Sequence, residues 1–177
     1  EINYEGNIES RWGQLSGKEL VFRFWLAYIG GTYATHGEAF VHPSEIDWIS
    51  EGGVLRGKSP PRIAFLRDIV ESGPKSGLTP IDPYYHRNIA GEYGNYYLLY
   101  FGKKEIEDWK FELPDEGLED GMKFKVELID TWNMTITPVK ETFVVERLDG
   151  YKFVDNENRS VNFPGNPYMA MRITRAE

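Results

Sequence analysis

From Tyr93 to its last residue the chain is written in a period of two. Trp109, Phe111 and Leu113 alternate with Lys110 and Glu112, then Phe124, Val126 and Leu128 alternate with Lys125 and Glu127, and Trp132, Met134 and Ile136 continue the pattern. Phe143 to Val145, Tyr151 to Val154, Val161 to Phe163 and Met169 to Ile173 follow, with turn signals such as Asp120-Gly121, Asp149-Gly150 and Pro164-Gly165 between several of them. Successive side chains of a strand point to opposite faces, so each run has one apolar and one wet face. Repeated at intervals of about ten residues, such runs predict an antiparallel β-sandwich or barrel over residues 89–177. Tyr96 to Phe101 departs from the alternation and is apolar almost throughout.

Residues 1–80 follow other rules. Ser16-Gly17-Lys18-Glu19 has the capping-box pattern, in which the Ser16 hydroxyl accepts from the Glu19 amide and the Glu19 carboxylate reaches back. Leu20, Val21, Phe24, Trp25 and Tyr28 then form one helix face, and Phe22, Leu26 and Ile29 make the other side apolar too. Gly30-Gly31 supplies the stop. Thr32 to Phe40 suits a short buried strand, and Pro43 to Trp48 resembles one or two helical turns capped by Ser44. Ser59-Pro60-Pro61 opens a second helix, with Ser59 as cap and Ile63, Leu66, Ile69 and Val70 as its stripe. Lys75 to Asn88 reads as a connection and places the domain boundary.

A strand, loop, helix, strand order is half of the β/α repeat, and parallel β/α enzymes put their chemistry at the carboxyl ends of strands. His36 and Glu38 close the Thr32–Phe40 run, and Glu1 to Gly6 reads as a second strand end. Two strand positions and two helices fall far short of the roughly 250 residues of a (β/α)8 barrel. The expectation is therefore an α+β chain: residues 1–80 as the terminal β/α elements of a (β/α)8 barrel whose other part lies upstream, then an antiparallel β-sandwich over 89–177. The alternative is that the two helices cover themselves by packing on the sandwich.

The formal charge of −8 and the lack of a basic stripe argue against nucleic acid and anionic membranes as partners. With no cysteine and three histidines the chain has no thiolate zinc site and no histidine-rich metal site, and neither metal nor cofactor is expected. The 41% apolar and 15% aromatic content is enough for a well-filled core. Nothing in the residues fixes a cellular location.

Four stretches resemble known proteins. Glu1-Ile2-Asn3-Tyr4-Glu5-Gly6-Asn7-Ile8 resembles an Asp-Glu-x-x-Tyr-Glu-Gly-Asn motif of bacterial glycoside hydrolases related to the apiosidase-like barrel families. Gly31 to Glu38 resembles their next strand end, Leu55 to Ile63 the segment entering their last barrel helix, and Asp130 to Ile136 a signature of their C-terminal β-sandwich. The resemblance implies a carbohydrate substrate. It also implies that Glu1 stands at the position of the nucleophile and that the acid/base lies upstream, so that this length of chain alone is catalytically silent.

Glycoside hydrolysis by this route needs two carboxyl groups, about 5.5 Å apart for retention and farther apart for inversion. Glu1 and Glu38 are the catalytic candidates. Glu5 is a candidate for binding hydroxyls, and so is His36, which shares a strand face with Glu38. Tyr4, Trp12, Tyr33 and Trp48 could stack on sugar rings, although aromatic residues serve at least as often in cores. Trp132 and Asn133 read instead as an interface device. Two competing readings stay open: a carbohydrate-binding or adhesion-type sandwich, marked by a row of exposed aromatics, and a purely structural sandwich, marked by aromatics buried against the helices.

Overall fold

The computed structural model describes residues 2–43, 45–47, 54–81 and 88–177. The first part contains β1 (Glu5–Gly6), a 3-10 turn (Arg11–Gly13), α1 (Gly17–Ile29), β2 (Glu38–His42), β3 (Glu45–Asp47) and α2 (Ser59–Glu71). Then come β4 (Thr79–Pro80), β5 (Ile89–Glu92), β6 (Tyr96–Tyr100), β7 (Asp108–Lys110), β8 (Glu112–Pro114), β9 (Lys123–Asp130), β10 (Thr135–Arg147), β11 (Lys152–Asp155), β12 (Ser160–Asn162) and β13 (Met169–Ala176). Eight strands form one sheet in the order β4-β5-β6-β13-β9-β10-β11-β8, while β7 and β12 pair as a separate ribbon. Every pairing in both is antiparallel.

The sheet is buried on two sides at its centre, which explains the unbroken apolar run of β6. Tyr97 and Leu99 enter an inner core with Phe111, Phe124, Val126, Phe143, Phe153, Val161, Met171 and Ile173. The ribbon and the curl of the sheet enclose this core, and Phe111 and Phe143 stack at its middle with ring centroids 4.4 Å apart. Tyr96, Leu98 and Tyr100 face the other way with Ile129 and Ala170, and there they meet the two helices. Strands away from the centre, such as β7 and β12, have one covered face and keep the alternation.

Against that outer face lie Leu20, Val21, Phe24, Trp25 and Ile29 of α1 and Leu66 and Ile69 of α2. Trp25 is fully buried and stacks on Tyr100 at 5.1 Å. This corrects the fold expected for residues 1–80. The chain is mostly β, the described residues hold two α-helices, and no run of terminal (β/α)8 barrel elements is present. Among the described residues the parallel pairing is confined to Glu5↔Glu38 and Gly6↔Ala39, beside one isolated bridge from Glu5 to Leu15. The antiparallel sheet itself supplies the apolar cover that two greasy helices need, so no barrel is required to bury them.

Local departures have equally local causes. Ser16 Oγ accepts from the Glu19 amide at 3.2 Å as expected, but Glu19 turns to Arg23 and Lys103 instead of reaching back. Gly31 takes φ +71° and ends α1. Residues 45–47, expected to be helical, pair with β2 as a hairpin. The alternation through Trp132, Met134 and Ile136 breaks at a turn, where Asp130 Oδ1 accepts from the amides of Trp132 and Asn133 and Met134 has φ +57°. Among the described residues no helix is long and apolar enough to cross a membrane.

One ion pair is placed where it matters. Asp155, 1% exposed, accepts from Arg159 Nε at 2.8 Å and Nη2 at 2.7 Å, and from the amides of Val144 and Arg159. Burial pushes this carboxyl up, but the Arg159 guanidinium and the two amides outweigh it and hold it below the ordinary carboxylate range. A depressed folded value means stability that is present above the unfolded pKa, about 3.9, and is lost as pH falls through the folded one.

Two outcomes follow. Trp25→Ala is expected to cost about 3–5 kcal/mol through the cavity it leaves between α1 and the sheet, read as a shift of the urea midpoint. Asp155→Asn is expected to destabilise at neutral pH and to flatten the loss of thermal stability below pH about 4, because the linked protonation is gone.

Candidate functional site

The parallel pair of β1 and β2 sets Glu5 directly opposite Glu38. Both are buried, at 5% and 6% exposure, with no lysine or arginine side chain bonded to either carboxylate among the described residues. Buried carboxylates need compensation, and here the backbone gives it. Glu38 Oε2 accepts from the amides of Arg56 at 2.7 Å and Gly57 at 2.9 Å. Glu5 Oε1 accepts from Lys58 at 2.8 Å and Oε2 from Ser59 at 2.9 Å. Four consecutive N–H groups are thus divided between two acids.

The local sequence is suited to this. Residue 57 has to be glycine, since a Cβ there would lie 2.3 Å from Glu5 Oε2 and 2.7 Å from Glu38 Oε1. Pro60 and Pro61 have no amide hydrogens to satisfy, so the two acids meet the donors that lead into α2. Ser59, expected as the cap, is the first helical residue; Lys58 stands in the cap position without a side-chain bond, and Glu5 replaces the missing cap. A carboxylate at a helix N-terminus also gains from the helix dipole.

The entry to α2 is tied to the sheet as well. Arg62 donates to Lys58 O at 2.6 Å and to Trp132 O at 2.8 Å, and its guanidinium lies 3.8 Å over the Trp132 ring. Trp132 is thus an interface piece between the β9–β10 turn and the helix. Asn133 donates to Asp130 Oδ2 within that turn.

His36 and Glu38 do come together. His36 Nε2 is 3.7 Å from Glu38 Oε1 and 3.3 Å from Ser59 Oγ. Glu38 Oε1 is buried and has no hydrogen-bond partner among the described residues, whereas both oxygens of Glu5 are engaged. Tyr4 and Trp12 meet edge to face at 5.7 Å and pack with Ile8 and Ala39, next to Glu38 along β2. Tyr33 stands apart. It is fully exposed and borders a groove of about 420 Å³ between α1 and α2, with Phe24, Tyr28 and Ile63. Glu1 and Trp48 lie outside the described residues. No cluster of three or more potential metal ligands occurs among the described residues. A row of exposed aromatics on the sheet is also missing there, since the aromatic residues of its strands are buried and Tyr151, 80% exposed, lies in the turn before β11.

A family model described as "Domain of unknown function (DUF5605)" matches residues 85–174. A solved structure described as "a putative glycoside hydrolase from Bacteroides vulgatus" is 36% identical, with a TM-score of 0.91 over 99% of this chain and 35% of that one. Another, described as "Glycoside hydrolase", is 11% identical with a TM-score of 0.51, over 90% of this chain and 37% of the other, a likeness of fold alone. The chain thus spans about a third of the length of these structures. No curated protein matches it. Since the matched segment takes in half of its residues, the chain belongs to the DUF5605 family.

Proposed function

We propose that this chain is part of a glycoside hydrolase and that Glu38 presents a carboxylate oxygen to the bound sugar. The observation that carries the reading is the state of Glu38. One oxygen is fixed by two backbone amides, and the other is buried, free of any described donor and next to an imidazole. An acceptor prepared in this way is costly unless something uses it. The 36% identity to a structure described as a putative glycoside hydrolase supports the same class, as does the apiosidase-like resemblance of residues 1–8 and 31–38.

In this reading Glu38 and Glu1 act as the catalytic carboxylates, and further acid/base function comes from an N-terminal portion of the same protein. His36 bonds a sugar hydroxyl beside Glu38. Glu5 works through the backbone, holding Lys58 and Ser59 so that Gly57 can lie against both acids. Trp12, Tyr33 and Trp48 offer rings for the C–H faces of a carbohydrate, and the buried Tyr4 supports Trp12 edge to face. The burial of Tyr96 and Tyr100 under the helices favours a structural role for that face of the sheet.

Glutamine substitution separates the roles. Glu38→Gln keeps a carbonyl oxygen for the amides of Arg56 and Gly57, so the fold stays intact. In the protein that carries this chain, the rate of hydrolysis on aryl glycosides or polysaccharide should fall by about a hundredfold or more. Glu5→Ala should act on stability instead, costing about 3 kcal/mol by leaving two amides without acceptors. An undiminished kcat in Glu38→Gln overturns the reading.

A further inference from the structure

Strand β10 is paired with β9 on one edge from Thr135 to Val144, but on its other edge β11 reaches only Val145 to Arg147. The ribbon strand β12 comes alongside without bonding to it, since its ladder partner is β7. Between them the protein is open. A cavity of about 330 Å³ holds Thr135, Thr137 and Asn162 over Leu128, Phe163 and Met169. A second, of about 490 Å³, holds Glu141, Arg159, Ser160 and again Asn162 over Val139 and Phe143. The two share Asn162 and follow each other along β10, over about 20 Å for the six steps from Thr135 to Glu141, and are taken together as one cleft.

We propose that this cleft binds a chain of neutral sugar units, at a site separate from Glu38. Its chemistry favours that ligand over others. The floor is apolar (Leu128, Val139, Phe163, Met169), and besides Glu141 and Asp130 the rim offers the hydroxyls of Thr135, Thr137 and Ser160 and the amide of Asn162, which matches the C–H faces and hydroxyls of a saccharide. The one cation, Arg159, is already neutralised by Asp155 and by Glu157 at 3.3 Å, and its Nε and Nη2 are engaged. Held in place in this way, its Nη1 has no bonded partner among the described residues and remains a fixed donor. Glu141 adds a negative charge, which disfavours uronates and sulfated chains. Asp130 on the rim already spends both oxygens on its own turn.

An added peptide strand is the other occupant an open sheet edge could take, and β10 is built against it. Pro138 lacks an N–H, the register shifts between Pro138 and Thr142, and Lys140 stands exposed beside the break. Lower down, the edge is already used: Thr142 O accepts from Arg159 and Val144 O from the Asn156 amide. Both features deny a peptide the continuous ladder it needs. A saccharide needs no such ladder.

The test uses the 177-residue chain in affinity electrophoresis through gels of soluble β-glucan, glucomannan or arabinan, with alginate as the acidic comparison. Titration with matching oligosaccharides follows in calorimetry. At least one neutral polymer is expected to retard the chain. Asn162→Ala should weaken that binding about tenfold, the loss of one or two hydrogen bonds. Thr137→Trp, which fills the cleft from an exposed position, should abolish it. Both variants should keep the wild-type thermal midpoint, and if Thr137→Trp does not, Asn162→Ala decides. The measurement reads binding through Asn162 and Thr137 and not hydrolysis, so that a failure of the hydrolase reading leaves this one intact. Absence of retardation in every neutral polymer, retardation by alginate alone, affinity unchanged in the variants, or displacement of the sugar by an extended peptide would each overturn the proposal.

Discussion

Four successive backbone N–H groups, from Arg56 to Ser59, meet two buried carboxylates, and the rest of the first half is arranged to permit it. The acids must be neighbours, which the short parallel pair provides. The segment must come close, which Gly57 allows. Its helix must begin in one place, which Arg62 secures by bonding Lys58 O on one side and the β9–β10 turn on the other. A charge taken out of water is tolerated only where such donors converge. The same arrangement keeps one oxygen of Glu38 in reserve.

The sheet plays its part in this. Because β6 is apolar on both faces, with Ile129 of β9 and Ala170 of β13 beside its outer side, the sheet can hold an aromatic core inside its curl and still offer Tyr96, Leu98 and Tyr100 to the helices. Arg172 extends the attachment, bonding Glu127 at 2.6 Å and Ser72 at the far end of α2. The helix that presents the amides is therefore fastened at both ends to a rigid layer, which is how a site gains precision from residues far off in sequence.

Much of this could be read from the residues, and the gaps have physical explanations. Period-two runs such as Phe124-Val126 and the Ser16 cap are local signals, and they reappear as β9 and the start of α1. The cap of α2 was not legible because its acceptor, Glu5, lies 54 residues away, and no local window reveals it. The barrel expectation failed because an apolar helix pattern says how much surface must be covered and not what covers it. His36 and Glu38 were found from their spacing of two. Their link to Glu5 depends on a parallel register that two residues of strand hardly mark. The role of Arg62 left no signal, since one arginine in a first turn looks like any other. The open stretch of β10 was missed because exposed threonines on a strand carry no periodic contrast.

Pro60 and Pro61 have a consequence beyond their own ring geometry. A helix entry with ordinary residues could slip by one position and still offer a donor to each acid. Here a slip toward the carboxyl side would bring a ring nitrogen, with nothing to donate, against Glu5. The frame of the segment is thereby locked at the covalent level. The length of the connection ahead of it becomes a quantity that evolution can alter only together with the prolines themselves.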